Sequence, residues 1–300
     1  MTISIDFLEP EFRSSFFVSE KRKKIWSVEL RLLSKFIEVC KRHNLRYFLN
    51  GGTLLGAARH GGFIPWDDDI DVMMPRLDYE QLCLVASKEF EEPFFFQTSL
   101  TEKEFFRSHA QLRDSRSTGC IIEDRTKEIN RGIFIDIFPI DGVPEGYFRQ
   151  LVFKFSLVIF KKFFILTISK EPQDLNFVLR FLRQLARLVY RIVPYHTLFI
   201  YYQKIQSRYS DTDTKLVGEI SLKFRKEAIW NKEWFDDFTL LPFEGSMLPV
   251  PYQYQKVLEV QFGKDWNSCP SLSEIKRFPS FHGDVIFEPD IPYSEYFKNL

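Results

Sequence analysis

Apolar residues recur every three or four positions at Trp26, Leu30, Leu33 and Ile37, with Lys and Arg between them. That period predicts an amphipathic helix over 20–43, with Ser19 as its N-cap and Asn44 in the left-handed position past its end. The pattern then shortens. Residues 46–49 form a β-prone run that closes on Asn50-Gly51-Gly52, residues 53–59 read as a short helix, and Gly61-Gly62 ends it. Residues 70–73 predict a second strand stopped by Pro75, and 78–90 a further helix. Strands are expected at 94–97, 109–113, 119–122 and 132–138, the last closed by Pro139 and Asp141-Gly142.

Beyond this the character changes. Residues 149–208 hold eleven Lys and Arg against two acids, Glu171 and Asp174. Arg180, Arg183, Arg187 and Arg191 share one helical face, with Phe177, Phe181, Leu182, Leu185, Leu188 and Val189 beside it. Such a segment either lies on an anionic membrane surface or forms a packed helical insertion with solvated arginines. The run 151–168 is apolar but broken by Lys154, Lys161 and Lys162, which argues against a membrane span. The last third predicts an ordered Pro-rich connection over 242–251 and a helix over 252–262. The expected organisation is a core over 1–145, a basic helical insertion over 146–215, and a C-terminal region over 216–300 packing on the core.

The whole chain has 41 basic and 41 acidic residues, which argues against a general nucleic-acid binder. Its 300 residues, 45% apolar, suffice for a sizeable core. The four cysteines are scattered, with no CxxC pair, and read as reduced, mostly buried thiols. No secretory pattern opens the sequence, so the expected location is the cytoplasm, with peripheral attachment at the inner membrane face as an extension.

The chemistry concentrates in LNGGTLLGAARHGGFIPWDDDID, residues 49–71. On a strand, Asp69 and Asp71 would project from the same face, and two such carboxylates repel unless a cation joins them. Asp136 lies in an otherwise apolar strand, where an unpartnered carboxylate is costly. Together the three acids suit one or two Mg²⁺ ions, or Mn²⁺, at a phosphate site. Gly51 and Gly52 let backbone N–H groups approach phosphate oxygens, and the helix start near Thr53 adds its dipole. Arg59 and His60 either contact donor phosphate or hold the loop. Arg113 either meets phosphate or forms a salt bridge. Trp66 either stacks on a quaternary ammonium or packs its loop. Asp67 and Asp68 read as supporting or turn residues.

The order of these elements resembles the nucleotidyltransferase-fold pattern hG[GS], h[DE]h[DE]h and a later h[DE]h. The filling between glycines and acids, with Pro75-Arg76-Leu77-Asp78-Tyr79 and FIDIFPIDG at 134–142, resembles the LicD/fukutin-related phosphotransferase family. Weaker echoes are Leu112-Arg113-Asp114 with Thr118, Phe243-Glu244-Gly245, and Val250-Pro251 leading to Phe262-Gly263-Lys264-Asp265. The resemblance implies an α+β fold, a nucleotidyltransferase-like mixed sheet flanked by helices. It implies transfer of a phospho-alcohol, foremost phosphocholine, from a CDP-linked donor such as CDP-choline to a glycan or lipid-linked glycan, with CMP leaving. Lipopolysaccharide and teichoic acid are the implied acceptors. Asp69, Asp71 and Asp136 would bind metal, and Asp136 would also act as base. Two other readings are nucleotidyl transfer to a sugar or protein, and a non-catalytic membrane-peripheral glycan-binding protein.

Overall fold

The computed structural model describes residues 5–168, 177–278, 281 and 284–298. A short hairpin, β1 (Glu11–Arg13) and β2 (Phe16–Val18), precedes the long helix α1 (Glu20–Arg42). The Ser19 hydroxyl caps α1 by accepting from the Arg22 N–H, and Asn44 takes φ +53° beyond its end, both as the pattern predicts. Ile25, Trp26, Leu32, Leu33 and Phe36 bury the inner face of α1.

Strand β3 (Phe48–Leu49), helix α2 (Gly51–His60), strand β4 (Asp71–Pro75) and helix α3 (Arg76–Glu89) follow. Next come β5 (Phe94–Gln97), β6 (Ala110–Asp114), β7 (Thr118–Ile121) and β8 (Ile133–Val143). Helices α4 (Tyr147–Ile168), α5 (Phe177–Ile192) and α6 (Tyr195–Gln206) form the insertion. Strands β9 (Leu216–Gly218) and β10 (Ile229–Asn231), the hairpin β11 (Phe238–Phe243) and β12 (Ser246–Pro251), and helix α7 (Tyr254–Phe262) lead to α8 (Leu272–Ile275), β13 (Val285–Glu288) and α9 (Tyr293–Tyr296). Lys170, Glu171 and Asp174 of the basic segment lie outside the described residues.

Among the described residues the main sheet has seven strands and is mixed, as expected of an α+β fold. Its centre is β8, which pairs in parallel with β4 and antiparallel with β6. Strand β9 continues the β6 side, pairing Asp141–Val143. Pro139 was expected to end this strand, yet β8 runs on to Val143. The reason is positional. Pro139 falls between the stretch paired with β6, which ends at Ile137, and the stretch paired with β9. No antiparallel partner there requires the N–H that proline lacks.

A second difference concerns the acid pair. Strand β4 begins at Asp71, so Asp69 lies in the segment before it rather than on a shared strand face. A third is the Pro-rich stretch, which is a β-hairpin turning at Glu244-Gly245, both with positive φ. Such a two-residue turn matches the twist of paired strands. Trp230, Phe243, Leu248, Val250 and Leu258 bring the C-terminal region into the main core. The insertion has its own cluster around Phe153, Leu157, Phe164, Phe199 and Tyr202. Of the thiols, Cys40 and Cys120 are buried, but Cys83 and Cys269 are exposed.

Candidate active site

Three residues stand in one row across three strands. Asp71 on β4 is the register partner of Asp136 on β8, and Asp136 is the partner of Gln111 on β6. Register partners on adjacent strands point to the same face. The row is fixed at its edge, where the Asp71 N–H donates to the Thr53 hydroxyl at 2.8 Å and the Asp136 N–H donates to the Ile70 carbonyl at 2.9 Å. Thr53 was expected beside a donor phosphate. It is buried, and its hydroxyl instead positions the start of β4.

The row opens on a cavity of about 280 Å³, lined also by Asp68, Asp69, Glu29, His109 and Arg107. Gly51 has φ +52°, and a Cβ there would lie 2.9 Å from Asp71 Oδ2. A Cβ on Gly52 would collide with Asp67 Oδ2. Both glycines thus keep the backbone at the start of α2 tight against the acid cluster.

The electrostatics are uneven. Burial, then the charges of Asp67 and Asp71, push the Asp69 carboxyl well above its ordinary value. Glu29, 1% exposed on α1, is likewise pushed well up by burial and by Asp68 and Asp67, and its Oε2 has no hydrogen-bond partner. Asp136 differs. Burial raises it, but hydrogen bonds from His109 and Gln111 and the charge of His109 outweigh burial and hold the carboxyl below its ordinary value. Gln111 Nε2 donates to Asp136 Oδ1 at 2.8 Å, and His109 Nε2 stands 3.0 Å from the same oxygen. The His109 ring packs on Phe138, while its buried Nδ1 has no partner. The Asp136 side chain stays 16% exposed and so remains reachable from the cavity.

The donor chemistry fits a hard divalent cation, since Asp69, Asp71, Asp136 and Glu29 line one cavity in which burial and neighbouring acids disfavour the ionised forms of Asp69 and Glu29. Among the described residues, however, no group of three or more His, Cys, Asp or Glu is arranged to hold an ion as it stands.

Arg59, His60 and Trp66 form a different cluster, and none of them lines the carboxylate cavity. Arg59 donates to His60 Nε2 and to the carbonyls of Trp266 and Ser268. Trp66 stacks on Phe278 at 4.9 Å and meets the His60 ring edge-on. Arg113 corrects the phosphate expectation more firmly. It is 1% exposed, and its guanidinium donates to Gln97, Gln111 and the carbonyls of Gly119 and Gly132. It is an internal clamp on the sheet, and burial lowers its pKa to about 10. Asp67 and Asp68 support the site. The Asp67 carbonyl accepts from Arg22 and Trp26, and the Asp68 carboxylate lies 4.0 Å from Arg22.

Sequence reasoning missed Glu29 and His109. Glu29 follows Trp26 by three residues and so falls on the apolar stripe of α1, a legible anomaly. His109, Gln111 and Arg113 alternate at the expected strand and so share a face, which marks them in the sequence. A second, mostly apolar cavity of about 610 Å³, walled by α3 and α6 residues such as Tyr79, Ala86 and Phe199, meets the first at Arg107 and His109.

Residues 44–173 match the family model described as LicD/FKTN/FKRP, nucleotidyltransferase domain. The chain is 40% identical over 116 residues to the lipopolysaccharide cholinephosphotransferase LicD of Haemophilus influenzae, covering 38% of this chain and 42% of that protein. It is 41% identical over 75 residues to the human ribitol 5-phosphate transferase FKRP, covering 24% and 15%. An uncharacterized protein of Rickettsia prowazekii is 30% identical over 118 residues, covering 39% and 41%. The chain thus spans about two fifths of the length of these two bacterial relatives.

Proposed function

Because residues 44–173 place this chain in the LicD/fukutin-related family, we propose that it transfers a phospho-alcohol, foremost phosphocholine, from a CDP-linked donor to a hydroxyl of a glycan precursor. The observation that carries the proposal is the Asp71–Asp136–Gln111 row with Asp69 opening on the same cavity. Lipopolysaccharide is the acceptor named for the Haemophilus relative and is the first candidate here. Asp69, Asp71 and Asp136 would hold Mg²⁺ or Mn²⁺, which supplies positive charge against the donor diphosphate when bound.

The chain's own residues do the rest. Gln111 and His109 fix the Asp136 carboxylate and keep it ionised, as a proton acceptor must be. The acceptor oxygen attacks the phosphorus bearing the alcohol and passes its proton to Asp136. The new O–P bond forms as the bond from that phosphorus to the bridging oxygen breaks, and CMP leaves with the electron pair. Gly51 leaves the space above Asp71 open to the donor.

The test is incubation of the full chain with Mg²⁺, CDP-choline or CDP-ribitol, and candidate glycans. CMP release and an acceptor heavier by the phospho-alcohol are expected. An acceptor carrying a nucleotidyl group, with pyrophosphate released, would instead favour nucleotidyl transfer. Asp136→Asn is expected to lower turnover by at least about 10²-fold, the lower range for loss of a positioned base. Full turnover in that variant would remove the assignment.

A further inference from the structure

The three helices of the insertion contain no Asp or Glu, yet they carry nine Lys or Arg. This imbalance is matched by an exposed apolar face. On α5, Phe177, Phe181, Leu185, Leu188 and Ile192 follow one another at four, four, three and four residues, a single helical stripe. That stripe faces outward: Phe177 is 82% exposed, Phe181 58%, Leu185 50% and Ile192 76%. Among the described side chains of α5, Arg183 and Ala186 are the buried ones. Arg180, Arg187 and Arg191 are exposed and border the stripe. Helix α4 repeats the arrangement, burying Phe153, Leu157 and Phe164 while exposing Phe148, Phe155 and Ile159.

A globular helix normally turns its apolar stripe to the core and its charges to water. Here large apolar side chains and cations share the outer surface. Among the described residues no helix is long and apolar enough to cross a membrane. We propose that α5, supported by α4, is a docking surface for an anionic lipid bilayer, with its apolar stripe in the headgroup–acyl boundary and Arg180, Arg187 and Arg191 at the lipid phosphates. Charge complementarity selects this occupant. A second copy of the chain laid on the same face would bring two arginine rims together with no acid on these helices to separate them, whereas anionic headgroups neutralise them. An apolar face rimmed by Lys and Arg is the general form of an interfacial helix.

The proposal is independent of the chemistry at the carboxylate cavity, and so is its test. The full chain is floated with vesicles of phosphatidylcholine alone or with phosphatidylglycerol added, without nucleotide or divalent cation. Co-flotation with the anionic vesicles is expected, weakening as salt shortens the screening length from about 10 Å at 0.1 M to about 3 Å at 1 M. The Arg180→Gln/Arg187→Gln/Arg191→Gln variant is expected to partition on the order of a hundredfold less, at about 1 kcal/mol for each basic residue near an anionic surface. The Phe181→Ser/Leu185→Ser/Leu188→Ser variant is expected to lose binding by at least about a hundredfold. Unchanged circular dichroism and Tm in both variants would show that the fold persists. Equal flotation of wild type and both variants would overturn the proposal. So would a wild type that ignores vesicles but is a dimer that the serine variant converts to monomer.

Discussion

Arg76 and Asp141 form a buried bidentate pair, with both Arg76 Nε and Nη2 donating to the carboxylate at 2.6 Å. Their side chains are 4% and 0% exposed. Gln206 Nε2 and Ser210 Oγ also donate to Asp141, so the carboxylate joins α3, β8 and the end of the insertion. Replacing Arg76 by Met keeps the volume but leaves Asp141 with only its two neutral donors. Two charge-assisted hydrogen bonds at about 1.5–3 kcal/mol each put the loss at about 3–6 kcal/mol. Breaking one side of a buried ion pair generally costs about 3–5 kcal/mol, in agreement. Tm is then expected to fall by on the order of 6–24 °C, at about 2–4 °C per kcal/mol for a large domain. The Arg76→Met/Asp141→Leu variant should recover part of this loss, because it removes the stranded charge while leaving the Gln206 and Ser210 donors without their acceptor. Differential scanning calorimetry of the wild type, both single variants and the double variant reads the coupling. A single Arg76→Met change within about 0.5 kcal/mol of wild type, the range of ordinary surface substitutions, would refute the reasoning. So would a double variant whose loss is simply the sum of the two.

Gly51→Ala forces a Cβ into a left-handed position costing about 1–2 kcal/mol and sets it 2.9 Å from Asp71 Oδ2, so both Tm and CMP release should fall. Gly61→Ala carries a similar φ, +65°, but meets nothing nearer than 3.9 Å, so it should lower Tm while leaving turnover near wild type. Equal turnover in both variants would count against the role given to Gly51. His60 is held down to about 4 by burial and by Arg59 and Arg13. The unfolded ring takes up a proton near pH 6.5, so stability is present above that pH and is lost as pH falls toward 4. His60→Gln should flatten the dependence of Tm on pH in that window, and the His60 ring protons should titrate near 4 by NMR; a midpoint near 6.5 would contradict this environment.

The parts of the fold that were legible in the sequence have local causes. Helix α1 announces itself by period and cap, and the left-handed Asn44 by position. The sequence pattern ends β8 early because a proline usually stops a strand. Only the placement of two partner strands shows that Pro139 needs none there. The hairpin at Glu244-Gly245 was hidden by its prolines. At the site, Asp71 and Asp136 were visible because an acid among apolar residues is anomalous. Their shared row depends on register between strands 65 residues apart, which no local pattern states. Arg113 was misread because burial, not residue type, decides whether a guanidinium meets a ligand or the backbone.

The register of β8 with β9 has a consequence of another kind. Val143 pairs with Leu216, so the chain leaves the sheet and returns to it at neighbouring points. Everything between them is topologically a hairpin loop, however large, and Asp136, the central member of the carboxylate row, lies upstream on the same strand. Asp141, gripped by Gln206 and Ser210 from the returning segment, is the socket into which this loop plugs. Evolution can therefore lengthen, shorten or exchange the plug without moving Asp71 relative to Asp136. The carboxylate row and the basic helical face thus sit on separable pieces of one chain.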